Sequence, residues 1–170
     1  MTYHPVVGKI RELLDGAGVA YKTFEHAPVR TSEEAAALRP EYDLHQGAKA
    51  LIVRAKLAEG NPSNILGTGK KFVMLIVPGD KKFNESKVKQ ALGAKEVRFA
   101  TEQEVGEITD GVQVGGVPPF GNLFGLAVYA DKGVFGNDEV IFNAGDRAFS
   151  IAMQSADWRK VVNPIEVDIV

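Results

Sequence analysis

Two glycines and two prolines enclose a valine in the run Gly115-Gly116-Val117-Pro118-Pro119, the part of this 170-residue sequence best suited to chemistry. Glycine lets backbone N–H groups stand where a side chain would block approach, and proline restricts the chain that follows. Amide donors held rigid in this way suit a carbonyl oxygen that gains negative charge during acyl transfer. A tight turn between a helix and a strand would use the same residues, and the run alone leaves that alternative open. A second feature is charge. Between residues 70 and 95 seven lysines (70, 71, 81, 82, 87, 89 and 95) stand against Asp80 and Glu85. They form either a solvated face or a patch that tracks phosphates. The net charge of −2 gives no general pull toward nucleic acid, and no DNA partner is expected.

Several familiar constellations are missing. His4, His26 and His45 are too widely spaced to form a zinc-binding pair, and with no cysteine there is no thiolate nucleophile, disulfide or sulfur metal site. No serine sits in Gly-x-Ser-x-Gly. The segment "NILGTGKK" (64–71) only brushes against a phosphate-binding loop, with Asn64 where glycine is required and Lys71 in place of Ser/Thr. No metal or other cofactor is expected. No apolar run approaches the roughly 20 residues of a membrane span. The opening "MTYHPVVGKI" lacks the pattern of a secretory leader, so a cytoplasmic location and no membrane partner are expected.

The elements that must position these residues can be read from periodicity. Val6, Ile10, Leu13 and Leu14 keep helical spacing before Gly16 and Gly18, and "VAYKTFEH" (19–26) alternates like a half-buried strand. Thr31-x-x-Glu34 and Thr101-x-x-Glu104 have the form of capping boxes, which predicts short helices after each threonine. Residues 47–56 and 71–79 read as strands separated by a polar loop, residues 84–92 as a helix stopped by Gly93, and "EVRFA" as a brief strand. Residues 125–131, 139–145 and 147–153 read as three more strands, with a last helix from Ser155. Strands in close succession predict an α+β fold, with a mixed, mainly antiparallel sheet or partly closed barrel surrounded by helices. The chain is read as one domain over 1–170, with Phe120 in its core.

Five segments in order, "HAPVRTSEEAA" (26–36), "QGAKALIVRAK" (46–56), "VPGDKKFNESKVKQALGAKEVRFATEQEV" (77–105), "GGVPPFG" (115–121) and "FNAGDRAFSIAM" (142–153), resemble the YbaK family. These are aminoacyl-tRNA deacylases related to the editing insertion of bacterial prolyl-tRNA synthetase. The resemblance implies hydrolysis of the ester joining a wrong amino acid to the 3′-terminal adenosine of tRNA, without a metal. Mischarged tRNA is then the partner, with an aminoacyl-tRNA synthetase a second candidate. Lys49 matches the family lysine that holds the tRNA 3′ end. Gly115 matches the first glycine of the Gly-x-x-x-Pro loop that grips the aminoacyl carbonyl, so Gly115, Gly116 and Val117 are expected to supply amide donors beside Pro119. Water or a group on the substrate attacks; family members use the latter with thiol-bearing amino acids.

Other positions carry over toward the amino-acid pocket. His26 and Thr31 match the family's His-x-Pro-x-x-Thr-like entry, although His26 also suits a structural hydrogen bond and Thr31 a helix cap. Phe24 stands where some members carry tyrosine, Asn143 where others have serine or histidine, and Ser150 where some have aspartate. Lys81, Lys82, Lys87 and Lys89 are expected to form a rim for tRNA. Taken alone, Lys49 is also a residue that an edge strand carries against aggregation. Two rival readings keep the same fold: a non-catalytic module that binds tRNA or a synthetase, and an esterase for small molecules.

Overall fold

The computed structural model describes residues 2–58 and 66–170. In chain order the elements are α1 (Pro5–Gly16), β1 (Tyr21–Glu25), α2 (Ser32–Leu38), β2 (Ala48–Leu57), β3 (Gly69–Pro78), α3 (Glu85–Leu92), β4 (Ala94–Phe99), α4 (Glu102–Thr109), β5 (Ala127–Asp131), α5 (Lys132–Phe135), β6 (Glu139–Asp146), β7 (Phe149–Gln154), α6 (Ser155–Val162) and β8 (Ile165–Val167). Every helix and strand expected from periodicity is present. The short α5 and β8, and the 3-10 turns Leu44–Gln46 and Gly121–Phe124, went unforeseen because each is too short to establish a period. The polar loop expected between β2 and β3, and the start of the "NILGTGKK" segment, lie largely outside the described residues.

The strands form two open sheets rather than a closed barrel. One has the order β1-β7-β6 and is antiparallel. The other has the order β4-β2-β3-β5-β8; β2 pairs antiparallel with β3 and β4, while β3–β5 and β5–β8 are parallel. A single parallel bridge, Gly47 to Ile141, ties the entrance of β2 to β6.

Period-2 alternation divides the core between the two faces of the larger sheet. Ala48, Ile52, Met74 and Ile76 face a large cluster shared with Val6, Ile10, Phe120, Phe142 and Trp158. Val53, Ala55, Leu57, Val73 and Leu75 face a second cluster beneath α3, with Val88 and Leu92. Lys49 has the parity of this second set. β4 pairs with β2 only from Val53 to Leu57, so position 49 lies beyond the paired stretch.

Both threonine caps form, with one difference. Thr101 and Glu104 make the full reciprocal box, whereas Thr31 accepts from the Glu34 N–H and Glu34 reaches instead to the Arg30 N–H at 2.7 Å. Glu104 also takes a two-pronged contact from Arg98, at 2.8 and 3.0 Å, which clips α4 to β4. The Thr109 hydroxyl then donates to the Val105 carbonyl at 2.6 Å and accepts from the Val112 N–H at 3.2 Å, closing α4 and launching the loop that follows.

The Arg98 hydrogen bond, with help from the Thr101 backbone, holds the Glu104 carboxyl down to about 2 from its ordinary 4.5. A carboxylate depressed on folding stabilises above its ordinary range, and that contribution is lost as pH falls through the folded value. Glu104→Gln is therefore expected to lower stability at neutral pH and to flatten its dependence between about 4.5 and about 2. Chemical denaturation across a pH series reads both effects.

Candidate functional site

Gly115 has φ +92°, and a Cβ placed there would sit 2.9 Å from the Arg30 carbonyl oxygen. Only glycine meets both conditions without strain. The turn it permits is fixed from behind by β6, β7 and their connection. Arg147 donates through Nε and Nη2 to the Val114 carbonyl, Asn143 Nδ2 donates to the Gly115 carbonyl at 2.7 Å, and the Gly145 N–H donates to the Gly116 carbonyl at 2.9 Å. Three successive carbonyls are thus pinned to one hairpin. The N–H groups of Gly115 and Val117 have no acceptor among the described residues. Backbone donors without a partner are what an oxyanion requires.

Gly115 and Val117 line a cavity of about 340 Å³. Lys49, Lys82, Thr31 and Asn143 share its wall, so six of the residues expected at the site are brought together. The mouth carries exposed Arg30, Glu33, Asp43 and Lys82; the inner wall is made of buried Ala35, Tyr42, Ala48, Ile141 and Phe142. Half-buried Lys49 donates from Nζ to the Lys81 carbonyl at 2.7 Å, which holds the ammonium at the cavity and leaves two of its three donors. Burial pushes Lys49 below the ordinary lysine value; Glu33 opposes this and Lys82 adds to it. An ammonium stripped of part of its water gains more from an anionic or strongly accepting ligand.

The other expected residues take different roles. Gly116 is not a free donor: its N–H closes a turn onto the Gln113 carbonyl at 2.9 Å. Pro119 is buried and its carbonyl accepts from Trp158 Nε1 at 3.0 Å, so it braces the loop from the core, where Phe120 also lies. Phe24 packs edge-on against Tyr42 at 5.8 Å and does not reach the cavity wall. A tyrosine hydroxyl missing there removes nothing from the wall itself.

His26 and Ser150 stand behind the wall. His26 Nδ1 lies 2.8 Å from the Ala27 carbonyl and Nε2 lies 2.6 Å from Ser150 Oγ. Ser150 donates to Asn143 Oδ1 at 3.1 Å, and Asn143 in turn holds Gly115. Both residues therefore support the glycine turn. The lysine rim divides as well. Lys87 is tied to Asp168 and the Val170 carbonyl, and Lys89 pairs with Glu85 four residues earlier. Neither lines the cavity; Lys81 contributes its carbonyl, and Lys82 its place in the wall.

Periodicity and motif gave no sign of Arg39. It is only 6% exposed, donates from Nη1 to Ser150 Oγ at 2.9 Å and from Nε to the Ala35 carbonyl at 3.1 Å, and lines the cavity. Its partner Ser150 lies 111 residues away, so no local pattern could reveal the burial. Among the described residues no group of three His, Asp or Glu could hold a metal ion, and no helix is long and apolar enough to cross a membrane.

A family model described as an aminoacyl-tRNA editing domain matches residues 26–161. The multifunctional Ser/Thr-tRNA deacylase ProXp-y of Escherichia coli (strain K12) is 31% identical over 153 residues, covering 89% of this chain and 85% of that protein. A proline–tRNA ligase of Ralstonia nicotianae is 28% identical over 89% of this chain, which corresponds to 25% of the ligase. Among solved structures, one described provisionally as a trans-editing enzyme for prolyl tRNA synthetase superposes with a TM-score of 0.78 at 24% identity, covering 99% of this chain and 98% of its own. That likeness is one of fold.

The glycine turn can be tested without any substrate. Gly115→Ala forces a side chain into a left-handed backbone and onto the Arg30 carbonyl. It is expected to cost about 1–3 kcal/mol of stability. Gly111→Ala, where the nearest atom to an added Cβ is 3.7 Å away but φ is also positive, controls for backbone strain alone. Denaturant midpoints of the two variants separate strain from collision.

Proposed function

The chain belongs to the aminoacyl-tRNA editing domain family, and from this and the cavity we infer that it is a free-standing deacylase that hydrolyses the ester of mischarged tRNA. The observation that carries the reading is that Gly115 and Val117, whose amides have no acceptor among the described residues, line the same cavity as Lys49. The acyl carbonyl would lie against the amides, with the terminal ribose and its phosphate toward Lys49 and the mouth cations Lys82 and Arg30. Water, or a group on the substrate, adds to the carbonyl carbon. The developing oxyanion is taken up by amides already in place, the C–O bond to ribose breaks, and the ribose oxygen receives the proton. One such donor is typically worth about 2.7–4 kcal/mol in the barrier. Positioning of the ester adds to this.

The chain has no cysteine, and the Thr31 hydroxyl on the cavity wall is occupied as a helix cap. An activated ester needs no protein nucleophile when its carbonyl is polarised in this way. Seryl and threonyl esters, for which the Escherichia coli relative is named, are the first substrates to test, followed by alanyl and cysteinyl esters. A prolyl-tRNA synthetase is the natural candidate for a protein partner, given the likeness to part of such a ligase.

Lys49→Ala is expected to lower deacylation of mischarged tRNA by roughly 10²-fold or more, since a misplaced ester loses its alignment. The melting curve should stay close to that of the wild type, because the ammonium makes a single carbonyl contact. A wild-type rate in that variant would sink the mechanism. Lys82→Glu should raise KM for tRNA and weaken its salt dependence, while Lys89→Glu should leave both near wild-type values, because Lys89 is already paired with Glu85. Equal effects at the two positions would favour general charge attraction over a defined path to the cavity.

A further inference from the structure

The inner end of the cavity carries a cation that the hydrolytic step does not use. Arg39 is buried, and no carboxylate among the described residues lies within ion-pair distance of it. A purely structural donor in this place could be neutral, whereas a buried guanidinium with no paired carboxylate is costly, and the charge of Glu41 offsets that cost only in part. Two of its nitrogens are engaged, Nε by the Ala35 carbonyl and Nη1 by Ser150. Nη2 has no partner among the described residues, yet no sealed side-chain nitrogen or oxygen among them lacks one, so Nη2 keeps an opening. Arg39 also forms part of the cavity wall. Burial lowers its pKa to about 10, in keeping with a desolvated charge.

Hydrogen bonds join this group to the glycine turn. Arg39 binds Ser150, Ser150 binds Asn143, and Asn143 binds the Gly115 carbonyl, at 2.9, 3.1 and 2.7 Å. Arg39 lines the same cavity as Gly115 and Val117, so an acyl group whose carbonyl met their amides would hold its side chain in the space that Ala35, Tyr42, Ile141 and Arg39 border. Those apolar neighbours suit a small side chain and not a phosphodiester, for which Lys49, Lys82 and Arg30 stand nearer the mouth.

We propose that Arg39 reads the acyl side chain, selecting amino acids whose side chain offers an oxygen acceptor, a hydroxyl or a carboxylate, over apolar ones of the same size. The proposal rests on the deacylase reading and deepens it. A guanidinium donor left facing a methyl group loses its solvent without compensation, which is how a polar site rejects an apolar isostere.

Threonine and valine differ only by hydroxyl against methyl, so the wild-type protein is assayed on the same tRNA charged with each, alongside seryl, alanyl and aspartyl esters. Threonyl over valyl, and seryl over alanyl, should be preferred roughly tenfold to a hundredfold, the range for one hydrogen bond to a charged group. A fast aspartyl ester would identify carboxylate as the acceptor, and a slow one hydroxyl; either supports the proposal if the apolar partners are slow. Arg39→Met, which keeps the stem, should collapse the threonyl-to-valyl ratio toward one, and Arg39→Lys should restore part of it. Equal wild-type rates for threonyl and valyl esters, or an undiminished ratio in Arg39→Met, overturn the proposal. Binding of non-hydrolysable threonylamide and valylamide adenosine analogues to the wild-type protein keeps the two readings apart. Discrimination in binding without turnover would retain the Arg39 assignment and remove the deacylase. Turnover without discrimination would do the reverse.

Discussion

Three neighbouring carbonyls, those of Val114, Gly115 and Gly116, are held by the β6–β7 hairpin, and most of what the site can do depends on that restraint. A peptide plane carries its oxygen and its hydrogen on opposite sides. Engaging the oxygens of this loop with the hairpin leaves the amides at Gly115 and Val117 without internal partners. A loop free to move would turn those amides toward water, and an oxyanion would then have to reorganise them during the reaction. Here the loop's carbonyls are already fixed on folding, which is what a preorganised oxyanion site requires.

The same hairpin explains why residues with little catalytic capacity of their own surround the loop. Asn143 and Ser150 are register partners across β6 and β7, and Phe24 on β1 faces the same serine. His26 follows at the end of β1 and reaches Ser150 through its ring. This is a shared row of polar groups behind the wall, each with a partner. In a low-dielectric setting such a row stiffens its members, while an unpaired member would be costly. Ser150 joins Asn143, which holds the glycine turn, to Arg39, which faces the cavity. The glycine turn and a cation of the cavity wall are thereby connected through one hydroxyl.

The larger sheet contributes position. β2 runs past the end of β4, and its entrance is bridged to β6 through Gly47 and Ile141. At that junction the two sheets lie close enough for a lysine on one and a loop anchored to the other to share a single cavity. Lys49, of the same parity as the β2 residues packed beneath α3, is half-buried and lines the cavity, so it is partly desolvated.

Helices, strands and the capped starts of α2 and α4 were legible in the sequence, because each depends on residues within a few positions of one another. The Gly-Pro turn was legible for the same reason: a left-handed φ at Gly115 and the rigid prolines are local properties. The family motifs also pointed to Lys49. Which amides of the turn stay free was not readable, since Gly116 is consumed by Gln113 and the neighbouring carbonyls by Asn143, Gly145 and Arg147. Nor was the division of the lysines, because Lys87 finds its acid at Asp168. Arg39 looked like any charged residue at the end of a short helix until packing enclosed it against Ser150. Local stereochemistry is written in neighbouring residues, but the partner of a buried polar group is set by contacts between distant segments, and those exist only once the chain has folded.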